Sequence, residues 1–153
     1  MSAAPVRVEL HHHFPVALAE GFDYITDLRN WPDYWPDLVR IEPGSEWSES
    51  GDRARLVLRL LGRETEMTMT LGRIEPRRLV EYTSVQPGLP DARHERHFAD
   101  DGHGGLDYRL VVEYLPRGGM RGLFDRFLFK SAVRRAMRKT VSNLETRFAT
   151  EAR

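Results

Sequence analysis

Leu106-Asp107-Tyr108-Arg109-Leu110-Val111-Val112-Glu113-Tyr114 alternates, with Leu106, Tyr108, Leu110, Val112 and Tyr114 on one side. This is the longest period-two stretch in the chain and reads as a strand with one packed face. Pro116-Arg117-Gly118-Gly119 stops it. From about Arg121 the period changes to 3.6: Val133, Met137, Val141, Leu144 and Phe148 fall on one face of a long helix. Phe124, Phe127, Leu128 and Phe129 make its first turns apolar nearly all round, the pattern expected of a helix entering the grip of a sheet.

Upstream the same alternation recurs in short pieces. Val6-Arg7-Val8-Glu9-Leu10 is a strand, ended by Phe14-Pro15, and Pro15 suits the start of a short helix carrying Val16, Ala19, Phe22, Tyr24 and Ile25. Trp31-Pro32 and Trp35-Pro36 leave room for only a helical turn between them. From Val39 to Leu115 the period is mostly two. Leu56, Leu58 and Leu60 share a face, as do Met67, Met69 and Leu71, and then Val80, Tyr82 and Ser84. Gly62, Glu75-Pro76-Arg77, Gln86-Pro87-Gly88-Leu89-Pro90 and Asp100-Asp101-Gly102 are the turns. One wet and one packed face is the habit of antiparallel sheets.

The 153 residues suit one domain, 1–153, with 41% apolar and 30% charged side chains. There is no cysteine, which excludes disulfides, thiolate metal sites and cysteine nucleophiles. No apolar run approaches the roughly 20 residues of a bilayer span, and Met1 to Glu9 lacks a signal-peptide core, so a cytoplasmic protein is expected. The net charge is zero, yet residues 121–153 carry +6 and the rest −6. Two readings fit: a basic helix against an acidic sheet rim, which is favoured, or an anionic partner at one end.

Within this pattern the chain resembles the START-like superfamily, also called the polyketide cyclase/dehydrase and lipid-transport superfamily. The residues that carry the resemblance are Asp27-Leu28-Arg29-Asn30-Trp31-Pro32-Asp33-Tyr34-Trp35, Gly104-Gly105, Tyr114-Leu115-Pro116-Arg117-Gly118-Gly119 and Thr140-Val141-Ser142-Asn143-Leu144-Glu145. It covers about residues 5–150. It implies an α+β helix-grip fold: a curved antiparallel sheet of six to seven strands, two short helices and one long C-terminal helix, enclosing a cavity. The expected function is binding of a small hydrophobic molecule of lipid, isoprenoid, quinone or polyketide type, as carrier or binding protein. The alternative is an aromatase/cyclase or dehydrase using the same cavity. The cyclases of the superfamily carry an inward Arg on the strand occupied here by Thr65 to Leu71, where this chain has Met67, Met69 and Leu71.

If Phe98 points inward, so do Ala92, His94 and Arg96. A buried guanidinium demands an oxygen partner, which makes Arg96 an anchor for a carboxylate, phenolate or phosphate. His94 is the candidate donor, acid or base; the catalytic residues stay unassigned, with His94 and Arg96 as candidates. The opposing reading flips the register or leaves Arg96 at a wet rim. The expected ligand contacts are Trp31, Tyr34, Trp35, Leu58, Met67, Met69, Tyr82, His94, Arg96, Tyr108, Leu110, Met137 and Val141, with solid core as the competing reading for many of them. Trp31, Tyr34 and Trp35 sit where the resemblance places the cavity mouth, as gate or as plug.

His11-His12-His13 reads as an exposed strand end; no HExxH pattern exists, and neither metal nor cofactor is expected. Asp27 suits a cap or a pair with Arg29. Gly118-Gly119-Met120-Arg121-Gly122 reads as a tight strand-to-helix turn, with a phosphate site beside Arg121 the lesser reading. Arg134, Arg135, Arg138 and Lys139 read first as a solvated face; docking on RNA or an anionic membrane is the third functional reading, and no DNA contact is expected.

Overall fold

The structure is a computed structural model that describes residues 4–60 and 62–151. Seven strands form one antiparallel sheet: β1 (Val6–Phe14), β2 (Leu38–Ile41), β3 (Arg53–Leu60), β4 (Arg63–Glu75), β5 (Leu79–Val85), β6 (Ala92–Asp100) and β7 (Leu106–Tyr114), in the order β1-β7-β6-β5-β4-β3-β2. Strands β2 to β7 are a meander of consecutive antiparallel pairs, and β1 closes the far side by pairing with β7, Val6 opposite Tyr114 and Phe14 opposite Leu106. Register shifts between Leu71 and Ile74 in β4, and between Leu38 and Arg40 in β2, break the ladder locally. Irregularities of this kind bend a strand and add twist, which lets a sheet curl.

Helix α1 (Leu18–Thr26) buries Phe22 and Ile25 on the sheet. A 3₁₀ turn (Leu28–Asn30) and α2 (Trp31–Tyr34) make the corner that follows. Asp27 both caps that turn, accepting from the Arg29 N–H at 2.9 Å, and pairs with the Arg29 guanidinium at 2.7 Å. After β7 come α3 (Gly119–Phe124), a π turn (Asp125–Phe129) and the long α4 (Lys130–Glu151). Gly119 has φ of +65°, which glycine adopts without cost, and a Cβ on Gly122 would collide with the Arg117 carbonyl.

The period-two reading is largely the observed one. Leu56, Leu58, Met67, Met69, Leu71, Val80, Tyr82, Tyr108, Leu110, Val112 and Tyr114 are buried and meet Met137, Val141, Leu144 and Phe148 of α4 in one core. Leu60 departs from it: the residue lies at the end of β3, past the reach of the helices, and is exposed. A second departure is larger. Phe127 and Leu128 are 68% and 64% exposed, and Phe124 is exposed too, while only Phe129 turns inward, against Tyr114 with ring centroids 4.8 Å apart. The grip closes on α4 from Val133 onward, and the apolar turns before it stand outside.

The corner after β7 is fastened by an ion pair. The Asp125 carboxylate, fully buried, accepts from the Arg117 guanidinium at 2.8 and 3.0 Å and from the Arg117 N–H at 2.7 Å. Arg117 holds its carboxyl below the usual range despite burial. The same guanidinium reaches the Gly88 carbonyl at 2.8 Å, tying the β5–β6 loop to this corner. No helix among the described residues is long and apolar enough to cross a membrane.

Candidate functional site

Arg96 projects from the middle of β6 into the space between the sheet and the α1–α2 corner, and it is buried. Among the described residues no carboxylate meets it. Its Nε and Nη2 donate to the Tyr82 hydroxyl at 3.3 and 3.2 Å, and Nη1 donates to the Tyr34 hydroxyl at 3.3 Å. The guanidinium also lies 5.4 Å from the Trp35 ring centroid and 5.5 Å from that of Tyr82, within cation–π range. Burial opposes the charge, but the surrounding tyrosine oxygens favour it, and the guanidinium stays protonated.

Tyr34 is held in place by backbone, and Tyr82 by the Trp47 and His94 rings beside it. Tyr34 donates to the Ile25 carbonyl at 2.6 Å, and Trp31 Nε1 donates to the same oxygen at 3.1 Å. This carbonyl, at the end of α1, therefore fixes both corner aromatics. Asn143 of α4 donates to the Tyr34 carbonyl at 2.9 Å, which locks the corner to the long helix. Burial pushes the Tyr34 hydroxyl up to about 12, with Arg96 pulling the other way. Tyr108 is pushed up for the same reason; its hydroxyl is buried with no hydrogen-bond partner among the described residues, close enough to Arg96 to feel its charge. The Tyr34 and Tyr108 phenols are neutral at pH 7.

His94, two residues before Arg96 on the same face, stacks on Tyr82 at 4.5 Å with planes 6° apart. Its Nε2 lies 2.8 Å from Ser84 Oγ, across the β5–β6 pairing. Burial, with the Arg96 charge adding, pushes its pKa down to about 3, so the imidazole is neutral in the folded protein.

A cavity of about 10 Å³ lies beside Arg96, lined by Ile25, Thr26, Trp31, Trp47, Met69, Val80 and Tyr82 as well. That is the space of roughly one water molecule. Trp47 packs edge-on between Trp31 at 5.3 Å and Tyr82 at 5.4 Å and closes the space from the β2–β3 loop.

Of the residues expected to touch a ligand, Trp31, Met69, Tyr82 and Arg96 line this space, while Tyr34, Trp35, His94 and Tyr108 stand around Arg96 and Tyr82 without lining it. Leu58, Met67, Leu110, Met137 and Val141 are buried in the surrounding core and do not line the cavity. Trp47 and Ser84 were not singled out by the sequence. Trp47 stands in a loop with no alternation to aim it, whereas Ser84 shares the face of Tyr82, a signal that was available. The histidine run is an edge feature: His11 and His13 are exposed, and His12 lies 3.6 Å from Glu145 and against Phe14, away from the cavity.

Comparison with known proteins places this geometry. A START superfamily protein from Mycobacterium smegmatis superposes with a TM-score of 0.75 at 10% identity, covering 94% of this chain and 97% of that one. The Zhui aromatase/cyclase from a Streptomyces species superposes with a TM-score of 0.83 at 13% identity, covering 98% and 97%. The protein TTHA0849 from Thermus thermophilus gives 0.78 at 15% identity, covering 97% and 100%. At such identities the likeness is one of fold. No curated protein sequence matches the chain. The profile of the polyketide cyclase/dehydrase and lipid transport family, however, matches residues 5–149, so a helix-grip sheet closed on a buried arginine is here the work of a chain that belongs to that family.

Proposed function

We propose that this protein binds a small, largely apolar molecule bearing an acidic oxygen, as a carrier or binding protein, with Arg96 as the polar anchor. One observation carries the reading: a guanidinium is buried among aromatic rings with no carboxylate among the described residues to neutralise it. Burying an unpaired charge is costly, and a site retained on those terms suits an anionic group that arrives with a ligand. Tyr34, Tyr82 and the unsatisfied Tyr108 hydroxyl supply further hydrogen-bonding positions around it.

The cavity sets a condition on binding. Drug-sized ligands occupy pockets of roughly 300–1,000 Å³, far more than the space beside Arg96. The bound state is therefore an expanded one, in which the Trp31, Trp35 and Trp47 rings move apart. The observed affinity is the intrinsic affinity reduced by the fraction of molecules that are open.

A cyclase or dehydrase using the same cavity would need a base to remove a proton next to a carbonyl. His94 is the candidate beside Arg96, and a conjugate-acid pKa of about 3 makes it a weak base at neutral pH. The binding reading needs no such group.

The test uses a matched pair, a medium-chain fatty acid and its methyl ester, followed by tryptophan fluorescence; all three tryptophans stand at the corner. The acid is expected to bind more tightly than the ester. Arg96→Leu is expected to remove that preference, a loss of roughly ten- to a hundredfold for the acid, the scale of a hydrogen bond to a charged group. Equal loss for both ligands would take Arg96 out of the binding site. No binding of either, by fluorescence and by native mass spectrometry, would overturn the carrier reading.

A further inference from the structure

Large apolar side chains are exposed at one end of the molecule. Met120, Leu123, Phe124, Phe127 and Leu128 follow the spacing of a single helix face, and that face points outward: Met120 is 86% exposed and Phe127 68%. The opposite face is the buried one, with Gly122, Asp125 and the inward Phe129. The sheet register brings Leu115 after β7, Val85 at the end of β5 and Leu60 at the end of β3 to the same end, and all three are exposed. An apolar ridge of this extent on an otherwise polar surface marks an interaction site.

Cations surround the ridge. Arg121, Arg126, Arg134 and Arg135 are exposed and Lys130 is half-buried, and none forms an ion pair among the described residues. Asp125, the one acid within this stretch, is buried and already neutralised by Arg117. Apolar tips inside a cationic collar require a partner that is apolar and anionic together. A second copy of the chain would bring its own cations against these. RNA would answer the charges and leave the phenylalanines wet. The interface of an anionic bilayer answers both.

We propose that α3, the π turn and the first turn of α4 form a docking element for an anionic membrane surface. The ridge enters the headgroup region, and the collar meets the phosphates. The helix lies on the membrane and does not span it. The proposal stands apart from the ligand-binding reading, because none of its residues lines the cavity.

The test is sedimentation of the full chain with vesicles of phosphatidylcholine alone and of equal parts phosphatidylcholine and phosphatidylglycerol. Binding to the mixed vesicles only is expected, falling as salt rises. Phe127→Ser with Leu128→Ser, both at exposed positions where folding is unaffected, is expected to lower the partition coefficient roughly tenfold or more. Arg134→Gln and Arg135→Gln are expected to lower it by about fivefold each. Absence of binding to mixed vesicles would overturn the proposal, as would equal binding to neutral ones. A serine double variant that binds like the parent would overturn it too. A concentration-dependent dimer abolished by the same serine pair would reassign the face to a second copy.

Discussion

Arg96, buried, and Arg117, half-buried, are two guanidiniums with opposite energetics. Arg117 faces a carboxylate that cannot reach water, so Arg117→Met strands the Asp125 charge; a loss of about 3 kcal/mol is expected from chemical denaturation. Arg96 has no such dependant. Arg96→Met removes a buried, uncompensated cation, and its melting temperature is expected to match or exceed that of the parent. A stability loss like that of Arg117→Met would make Arg96 a structural residue. His94 adds a pH signature. Its folded pKa of about 3 lies below the ordinary value of 6.5, so the neutral form is the one the fold retains. Its contribution is complete above pH 6.5 and drains as pH falls toward 3, because the unfolded chain takes up the proton first, by up to about 1.4 kcal/mol per pH unit. His94→Gln is expected to flatten the stability profile over that window; an unchanged profile would mean that other groups govern it. The sequence made Arg96 and His94 legible because alternation from Phe98 fixes their side of β6. It could not reveal that Arg96 meets tyrosines and, among the described residues, no carboxylate, since its neighbours Tyr34 and Tyr82 come from segments 62 and 14 residues away.

At the scale of elements, periodicity served wherever one face is dry and the other wet. The strands from β3 to β7 follow it nearly residue by residue, and so does α4 beyond Val133. It misled at the first turns of the C-terminal helix. An apolar face announces that something covers it, but not whether that cover belongs to the same chain. Here Phe124, Phe127 and Leu128 face away from the sheet because the Arg117–Asp125 pair and the small Gly122 turn the other face inward. The size of the cavity was likewise beyond reach. A strand pattern says which side chains point in, and only their packing says how much room they leave; Trp47, from a loop, takes much of it.

For the whole molecule, part of the charge imbalance and the exposed apolar groups are one arrangement: Arg121, Arg126, Lys130, Arg134 and Arg135 sit with the ridge. The Arg96 cluster lies in the middle of the sheet and the ridge at its end, so the proposed ligand binding and the proposed surface attachment can be varied separately. The sheet order has a further consequence, for assembly in time. Strands β2 to β7 can zip from one hairpin to the next, whereas β1, made first, has its only sheet partner about a hundred residues later in β7. Closing that loop is entropically the most demanding pairing, and contacts so distant slow folding. Val8, buried on β1, reports on the order of events: Val8→Ala is expected to speed unfolding and leave the folding rate nearly unchanged, a φ-value near zero in stopped-flow chevrons, whereas a value near one would put β1 in the nucleus. Emerging from a ribosome, the chain carries its first strand as an unpaired edge through most of its own synthesis. Arg7, Glu9, His11 and His13 keep that edge polar on its outer face, a guard against pairing with a stranger before the last strand arrives.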